Sequence, residues 1–148
     1  MKFGFTLIEL LVSIAVVVVV SILITSGFNS FRESSQLNEA HSAIISILRD
    51  ARSRTLSGNK NTQYGVHFET NQIVLFAGSS YSSGSSSNEP YATPSLAKVS
   101  VINLGGSSDA VFTRLTGFSS ASGTIMVSSI SNPQKTKTIT IFSSGNIE

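Results

Sequence analysis

Few residues in this chain have the types and spacing that chemistry needs. The two histidines, His41 and His67, fall on different expected elements, and Asp50 and Asp109 are the sole aspartates, which leaves too few clustered acids for a calcium site. No H-E-x-x-H, EF-hand loop or G-x-S-x-G occurs. Gly78, Gly84, Gly105 and Gly106 are not followed by the Gly-Lys-Ser/Thr of a P-loop. The many serines have no evident base partner, so the expectation is no enzyme, no metal and no cofactor. Two features remain. Arg49, Arg52, Arg54 and Lys60 gather near the end of an expected helix, where at about 100° per residue Arg49 and Arg52 lie close and Arg54 points away. Arg49, Arg52 and Lys60 are the candidates for contacting nucleic acid; alternatively, cations there complement the helix C-terminal dipole. The second feature is Glu9, a carboxylate at the edge of an apolar run, a place where charge is costly unless paired. A cut after Gly4 would give Phe5 an α-amino group four positions before Glu9. The two charges would meet on one helix or between neighbouring chains. The alternative is a Glu9 that reaches the headgroups near a helix start, where the dipole tolerates it.

The elements that position these residues follow from hydrophobic pattern. Residues 10–31 carry no charge, and 17 of the 24 residues at 5–28 are hydrophobic. As a helix, residues 5–28 measure about 36 Å at 1.5 Å per residue, enough for a hydrocarbon core of about 30 Å. No A-x-A-like cleavage site follows Ile24, and a small domain has little room to surround an all-round apolar helix, so a membrane-spanning helix is expected. Beyond it, Phe31, Leu37, Ala40, Ile44, Ile47, Leu48, Ala51 and Thr55 recur at mostly three- and four-residue steps, with Glu33, Glu39, His41, Asp50 and Arg52 mostly on the other face. Gly58, followed by Asn59, is a C-cap signal. One helix over residues 6–57 is therefore expected. Strands are expected at 63–69, 72–77, 98–104, 110–115, 124–130 and 136–142, with a Ser/Gly-rich loop over 79–94. The fold class is α+β: a long N-terminal helix, membrane-spanning then amphipathic, packed on an antiparallel β-sheet head.

Composition agrees with this division. Charged residues are only 12% of the 148, and the net charge is +2, which excludes nucleic-acid binding driven by bulk charge. Mean hydropathy is +0.23, yet outside the apolar run only about a third of residues are hydrophobic. The absence of Cys excludes a disulfide framework, a thiolate metal site and a cysteine nucleophile.

The run Gly4-Phe5-Thr6-Leu7-Ile8-Glu9-Leu10-Leu11-Val12, followed by an apolar helix, resembles the class III signal of type IV pilins and type II secretion pseudopilins. The resemblance implies a leader at residues 1–4, cut after Gly4 by a membrane-embedded prepilin peptidase that methylates the new Phe5 amine. It implies that Glu9 neutralises the N-terminal amine of an adjacent subunit during assembly. Residues 5–28 would be the transmembrane and polymerisation helix, 29–57 its amphipathic continuation and 58–148 the β-rich head. The chain has Ser26-Gly27 where many major pilins carry a helix-breaking Pro. The segment from Arg49 to Gly58, the hairpin after it and the closing Thr138–Gly145 stretch are similar, more loosely, to GspH/FimT minor pseudopilins. That implies a minor subunit at or near the tip of a type II secretion pseudopilus or type IV pilus. The other readings implied are a major pilin-like filament subunit, or a minor pilin whose head binds DNA or a surface. Implied partners are the prepilin peptidase, other pilin or pseudopilin subunits, the inner-membrane assembly platform and the membrane. The implied location is the inner membrane, single-pass, with the N-terminus cytoplasmic, as Lys2 suggests, and the head outside. Many major pilins staple their C-terminal region with a disulfide, so the missing Cys favours a minor or pseudopilin subunit.

Overall fold

The structure of the protein, a computed structural model, describes residues 4–148, with the side chains of residues 23–27 and of Asn59 outside the description. The orientation signal placed on Lys2 and most of the leader lie outside the described residues. One helix, α1 (Leu7–Leu56), runs for 50 residues, about 75 Å at 1.5 Å per residue. Thr6 caps it in extended conformation, and its hydroxyl accepts from the Glu9 N–H at 3.3 Å. Thr6 and Glu9 occupy the Thr-x-x-Glu positions of a capping box. The helix continues through Ser26 and Gly27 without a break. It ends at Ser57, whose N–H reaches the Ser53 carbonyl at 2.9 Å, and Gly58 takes the left-handed conformation (φ +69°) that lets the chain turn away. Buried Thr55 fastens this end, its hydroxyl donating to the Ala51 carbonyl at 2.8 Å and accepting from the Tyr64 N–H at 2.9 Å.

The head carries seven strands: β1 (Tyr64–Phe68), β2 (Gln72–Ala77), β3 (Glu89–Ala92), β4 (Ala97–Asn103), β5 (Asp109–Val111), β6 (Gly123–Ser129) and β7 (Thr136–Ile141). They form two antiparallel sheets, one in the order β3-β2-β1-β5 and one in the order β4-β6-β7. The second half of α1 packs against both. Leu37, Ala40, Ile44, Leu48 and Ala51 interlock there with Val66, Phe68, Leu75, Ile125, Val127, Ile139 and Ile141. The spacing on the helix is the stripe expected from sequence, with two corrections, at Phe31 and at Glu33, which was expected on the opposite face and is buried. Phe31 is 73% exposed, because the sheets begin to cover the helix only above it. At that junction Glu33 is buried and bonded to Lys135 Nζ at 2.8 Å and to the Ser129 hydroxyl. The Lys135 hydrogen bond, aided by Ser129, holds the Glu33 carboxyl below its ordinary range. The chain closes with Ile147 buried and Glu148 paired to Thr140 through both backbone bonds, at 2.8 and 3.0 Å.

Three expectations are corrected by long-range packing. The head is two sheets rather than one, since β4 pairs with β6 while β5 returns to pair with β1. The 79–94 stretch contains β3, whose Pro90 is tolerated because β3 is an edge strand. The strand expected over 110–115 ends at Val111, where the chain enters a closed loop that puts Leu115 at φ +71° and Gly117 at φ +68°. Among the described residues, no helix is long and apolar enough to cross a membrane. The described side chains of the apolar half run from residue 7 to 22, about 24 Å of helix.

Candidate functional site

Gly4 and Phe5 lie ahead of the helix in exposed backbone outside regular structure, and among the described residues nothing approaches within 4 Å of a Cβ placed on Gly4. The Gly4–Phe5 bond is therefore open to a peptidase that takes an unfolded strand. Phe5 precedes the Thr6 cap, so in the uncut chain it does not share the helix with Glu9. The pairing expected of the cut chain, on one helix or between neighbouring chains, concerns an amine that the uncut chain does not have at Phe5. Glu9 sits exposed in the first turn, and among the described residues it forms no ion pair.

Above Glu9 the stem is a bare apolar cylinder. Twelve large hydrophobic side chains between residues 7 and 22 are 47–78% exposed. The hydroxyls interrupting this surface turn inward to the helix itself: Ser13 donates to the Glu9 carbonyl and Ser21 to the Val17 carbonyl, both at 2.7 Å. That arrangement suits an environment without water, where each donor must be satisfied within the segment. Full burial of such a side chain contributes about 1.5–3 kcal/mol. With roughly half of each still exposed, about 10–20 kcal/mol of burial is unclaimed, comparable with the whole stability of a domain.

At the far end, the basic cluster divides as expected. Arg49 and Arg52 share one open cleft of about 520 Å³ with Gly145, Asn146 and Ile147, while Arg54 lies on another side. Arg52 is committed to the fold: its Nε donates to the Gly117 carbonyl at 3.1 Å, and a Cβ on Gly145 would stand 2.9 Å from the same atom. Arg49 Nη2 reaches the Ile147 carbonyl at 3.4 Å. Arg54 is held between Asp50 (2.8 Å) and Glu89 (2.5 Å), its guanidinium 6.0 Å from the Tyr64 ring centre. The Arg54 hydrogen bond lowers the Glu89 carboxyl, and the two carboxylates raise Arg54 further above its already high range. Burial, then the hydrogen bond to Glu89, raises the Tyr91 hydroxyl. Lys60 is exposed in left-handed conformation just past the helix. Of the three nucleic-acid candidates, then, Arg52 is a structural staple, and no continuous basic stripe forms.

One grouping was not legible in sequence. His67 on β1 meets Asp109 on β5, Nδ1 to Oδ1 at 2.5 Å, stands 3.6 Å from Glu69, and stacks under Tyr81 with ring centres 3.9 Å apart. Tyr81 belongs to the Ser/Gly-rich loop and also approaches Phe76 at 5.8 Å. The cluster pins that loop across the outer face of the first sheet, over Val74, Phe76 and Val111, which are buried outside the main core. Gly65 makes room for it: a Cβ there would come within 2.6 Å of the Phe76 ring. The sole sequence signal was an aromatic inside a polar loop. Asp50 and Asp109 have separate partners, and no group of three or more potential metal ligands occurs among the described residues. Comparisons of the chain with protein-family models, curated proteins and solved structures found no match.

Proposed function

We propose that the protein is a filament subunit of the type IV pilin and type II secretion pseudopilin kind, most like the GspH/FimT minor subunits. It is cut after Gly4 by a prepilin peptidase, N-methylated at Phe5 and assembled through its N-terminal helix. The observation that carries this reading is the stem: a rigid helix whose upper half is fully used by the head while its lower half offers an unpartnered apolar surface. A single large domain would bury such a surface; a membrane, and then the stems of neighbouring subunits, would bury it here. In sequence the apolar run continues from residue 22 through Ile24, which brings the stretch from Leu7 to about 27 Å, near the roughly 30 Å of a hydrocarbon core.

Three further features fit. The Gly4–Phe5 bond is accessible, the stem hydroxyls are satisfied internally, and Glu9 is the lone charge between residues 4 and 31. In assembly Glu9 would pair with the amine of a neighbour's Phe5, because an unpaired charge in an apolar medium costs several kcal/mol and a pair far less. On this reading the head, outside the inner membrane, serves contacts with other subunits and the assembly platform, and the GspH/FimT likeness puts it at or near the tip. Mass spectrometry of the chain from its native membrane is the test. The expected N-terminus is N-methylated Phe5; a mature N-terminus anywhere else refutes the processing step and with it the family reading.

A further inference from the structure

Three segments meet at the end of the head farthest from the stem: the last turns of α1, the loop after β5 and the turn after β7. The Gly117 carbonyl joins them, accepting from Arg52 Nε at 3.1 Å and leaving no room for a Cβ on Gly145. The Ser119 N–H donates to the Ser143 carbonyl at 3.1 Å. The loop is also closed on itself, by the Thr113 N–H to the Phe118 carbonyl (2.8 Å) and the Gly117 N–H to the Thr113 carbonyl (2.9 Å). Yet Leu115 is 91% exposed at φ +71°, a backbone region that a leucine rarely adopts, and Phe118 is 55% exposed. Leu56, 44% exposed, stands 3.1 Å from where a Cβ on Gly117 would lie. Packing within the chain does not account for a strained leucine held out in water; a contact outside the chain does.

The charge of this end is one-sided. No Asp or Glu occurs in 51–63, 112–120 or 141–147. Arg54 and Lys60 act on Asp50 and Glu89 within the chain and are not free for a partner. Arg49, Arg52 and Arg114 differ: among the described residues none of them has a carboxylate within 4.0 Å. Each bonds one neutral oxygen, on Ile147, Gly117 and Asn61 respectively, and a guanidinium has five N–H donors. The carbonyls at the helix end offer about half a negative charge, which does not balance three cations. Glu148, the residue after the cleft's Ile147, is bonded to Asn146 at 3.2 Å. Arg49 and Arg52 therefore open unpaired into the 520 Å³ cleft, where Ser53, Ser57 and Asn146 add further donors.

We propose that this end of the head docks an acidic, apolar segment of a second protein that is not a copy of this chain. A carboxylate enters the Arg49–Arg52 cleft as a charge-assisted ligand of the guanidiniums, and an apolar side chain beside it packs on Leu115, Phe118 and Leu56. Arginine and large apolar side chains gathered in one patch are the composition that carries most binding energy at protein interfaces. A carboxylate is favoured over a nucleic-acid phosphate because the two arginines line a recess and form no track for a backbone. The most exposed side chain, aliphatic Leu115, also gives a base no face to stack on. A second copy supplies no matching segment. Glu33, Asp50, Glu69, Glu89 and Asp109 are engaged by Lys135, Arg54, Gln72 and His67. Exposed Glu39 has only Ser35, Gln36, Ser42 and Ala43 as helix neighbours. On the filament reading this end points away from the membrane, where a subunit at or near the tip meets other proteins, but the inference does not depend on processing at Gly4.

The test uses the full-length chain in nonionic detergent at low ionic strength. The probe is a rhodamine-labelled, blocked decapeptide of Glu and Leu spaced by Gly, with a Gln-for-Glu counterpart, and binding is read by fluorescence anisotropy. The Glu peptide should bind at least about tenfold more tightly than the Gln peptide. Arg49→Glu, at an exposed position, should weaken binding at least about tenfold. Leu115→Gly should weaken it severalfold without lowering the melting temperature, because glycine accepts the left-handed backbone. Lys137→Glu makes the same type of charge reversal on β7, near the stem end where Lys135 meets Ser30, and should bind as wild type. Equal affinity for the two peptides, no binding of either, or Arg49→Glu no weaker than Lys137→Glu overturns the inference. Tighter binding of an oligothymidylate overturns it in favour of nucleic acid. Self-association of the chain that is lost in Arg49→Glu overturns it in favour of a second copy.

Discussion

Glu9 has a structural role at the helix start and a proposed role in assembly, and a well-chosen pair of substitutions separates them. It is the third residue of α1, where its N–H already engages the Thr6 cap, and its carboxylate favours the positive end of the helix dipole. Those local effects contribute about 0.3–1 kcal/mol, so their loss would change incorporation by less than roughly tenfold. The proposed assembly role is larger. With Glu9 neutral, a neighbour's Phe5 ammonium enters the apolar stem bundle without its partner, and stranding one member of a buried pair costs about 3–5 kcal/mol, some two to three and a half orders of magnitude in an equilibrium. Glutamine serves at this position of a capping box as glutamate does. Glu9→Gln therefore keeps the helix start and removes only the charge. The assay compares wild type, Glu9→Gln, Glu9→Ala and Glu9→Asp for the fraction of chain in sheared filaments, with the N-terminus read by mass spectrometry. Both neutral variants should be cut after Gly4 yet fall at least a hundredfold in incorporation, Gln no better than Ala, with Asp retaining part. Glu9→Gln incorporating like wild type would refute the charge-pairing argument and leave Glu9 as a capping residue.

Two predictions concern the head. Gly145 is at φ +78°, and a Cβ there would run into the Gly117 carbonyl and crowd Arg52, so Gly145→Ala should cost at least about 2 kcal/mol and lower the melting temperature of the detergent-solubilised chain by roughly 8 °C. Gly84→Ala, with open space around it, is the control and should be silent; equal shifts would refute the packing described around Arg52. Glu33 has its folded pKa depressed below 4.5 by Lys135 and Ser129, so its contribution to stability is present above that value and lost as pH falls through the lower folded one. The gap in melting temperature between wild type and Glu33→Gln should be full near neutrality and narrow below about pH 4.5; a gap that widens on acidification would show the sign to be wrong.

What could be read from the sequence was what is local. The course and end of the helix followed from the apolar run, a hydrophobic step of three to four and the Gly58 signal, though the Thr6 cap was not foreseen, and the hairpin of β1 and β2 followed from the β-rich runs on either side of Thr70-Asn71. The same logic failed where a contact spans the chain. Strand β3 was hidden because Pro90 and the surrounding serines signal a loop, and only pairing with β2 makes it a strand. His67 and Asp109 are 42 positions apart, and their meeting depends on β5 returning to β1. Arg52 looked like a solvent-facing cation until two glycine turns closed on it from Gly117 and Gly145. Periodicity gives which face a residue occupies; it does not give what arrives from elsewhere to cover that face.

The division of labour along α1 bears on how processing and assembly are related. Above residue 33 the apolar face of the helix is satisfied within the subunit, so the head has no need of neighbours to fold. Below it every apolar side chain described is exposed and every described hydroxyl of residues 13–22 is turned into the helix, so this half stands to gain nearly all its burial from outside. Between residues 5 and 31, Glu9 is the one charge that works against that transfer. Before the cut, no α-amino group stands at Phe5, and moving the stem into an apolar bundle strands a carboxylate. After the cut, each subunit brings one amine and one carboxylate, and a stack of subunits can pair them in sequence. On the proposed reading the peptidase therefore does more than remove a leader: by creating the amine at Phe5 it converts the one unfavourable group in the stem into a contact that only a correctly placed neighbour can complete.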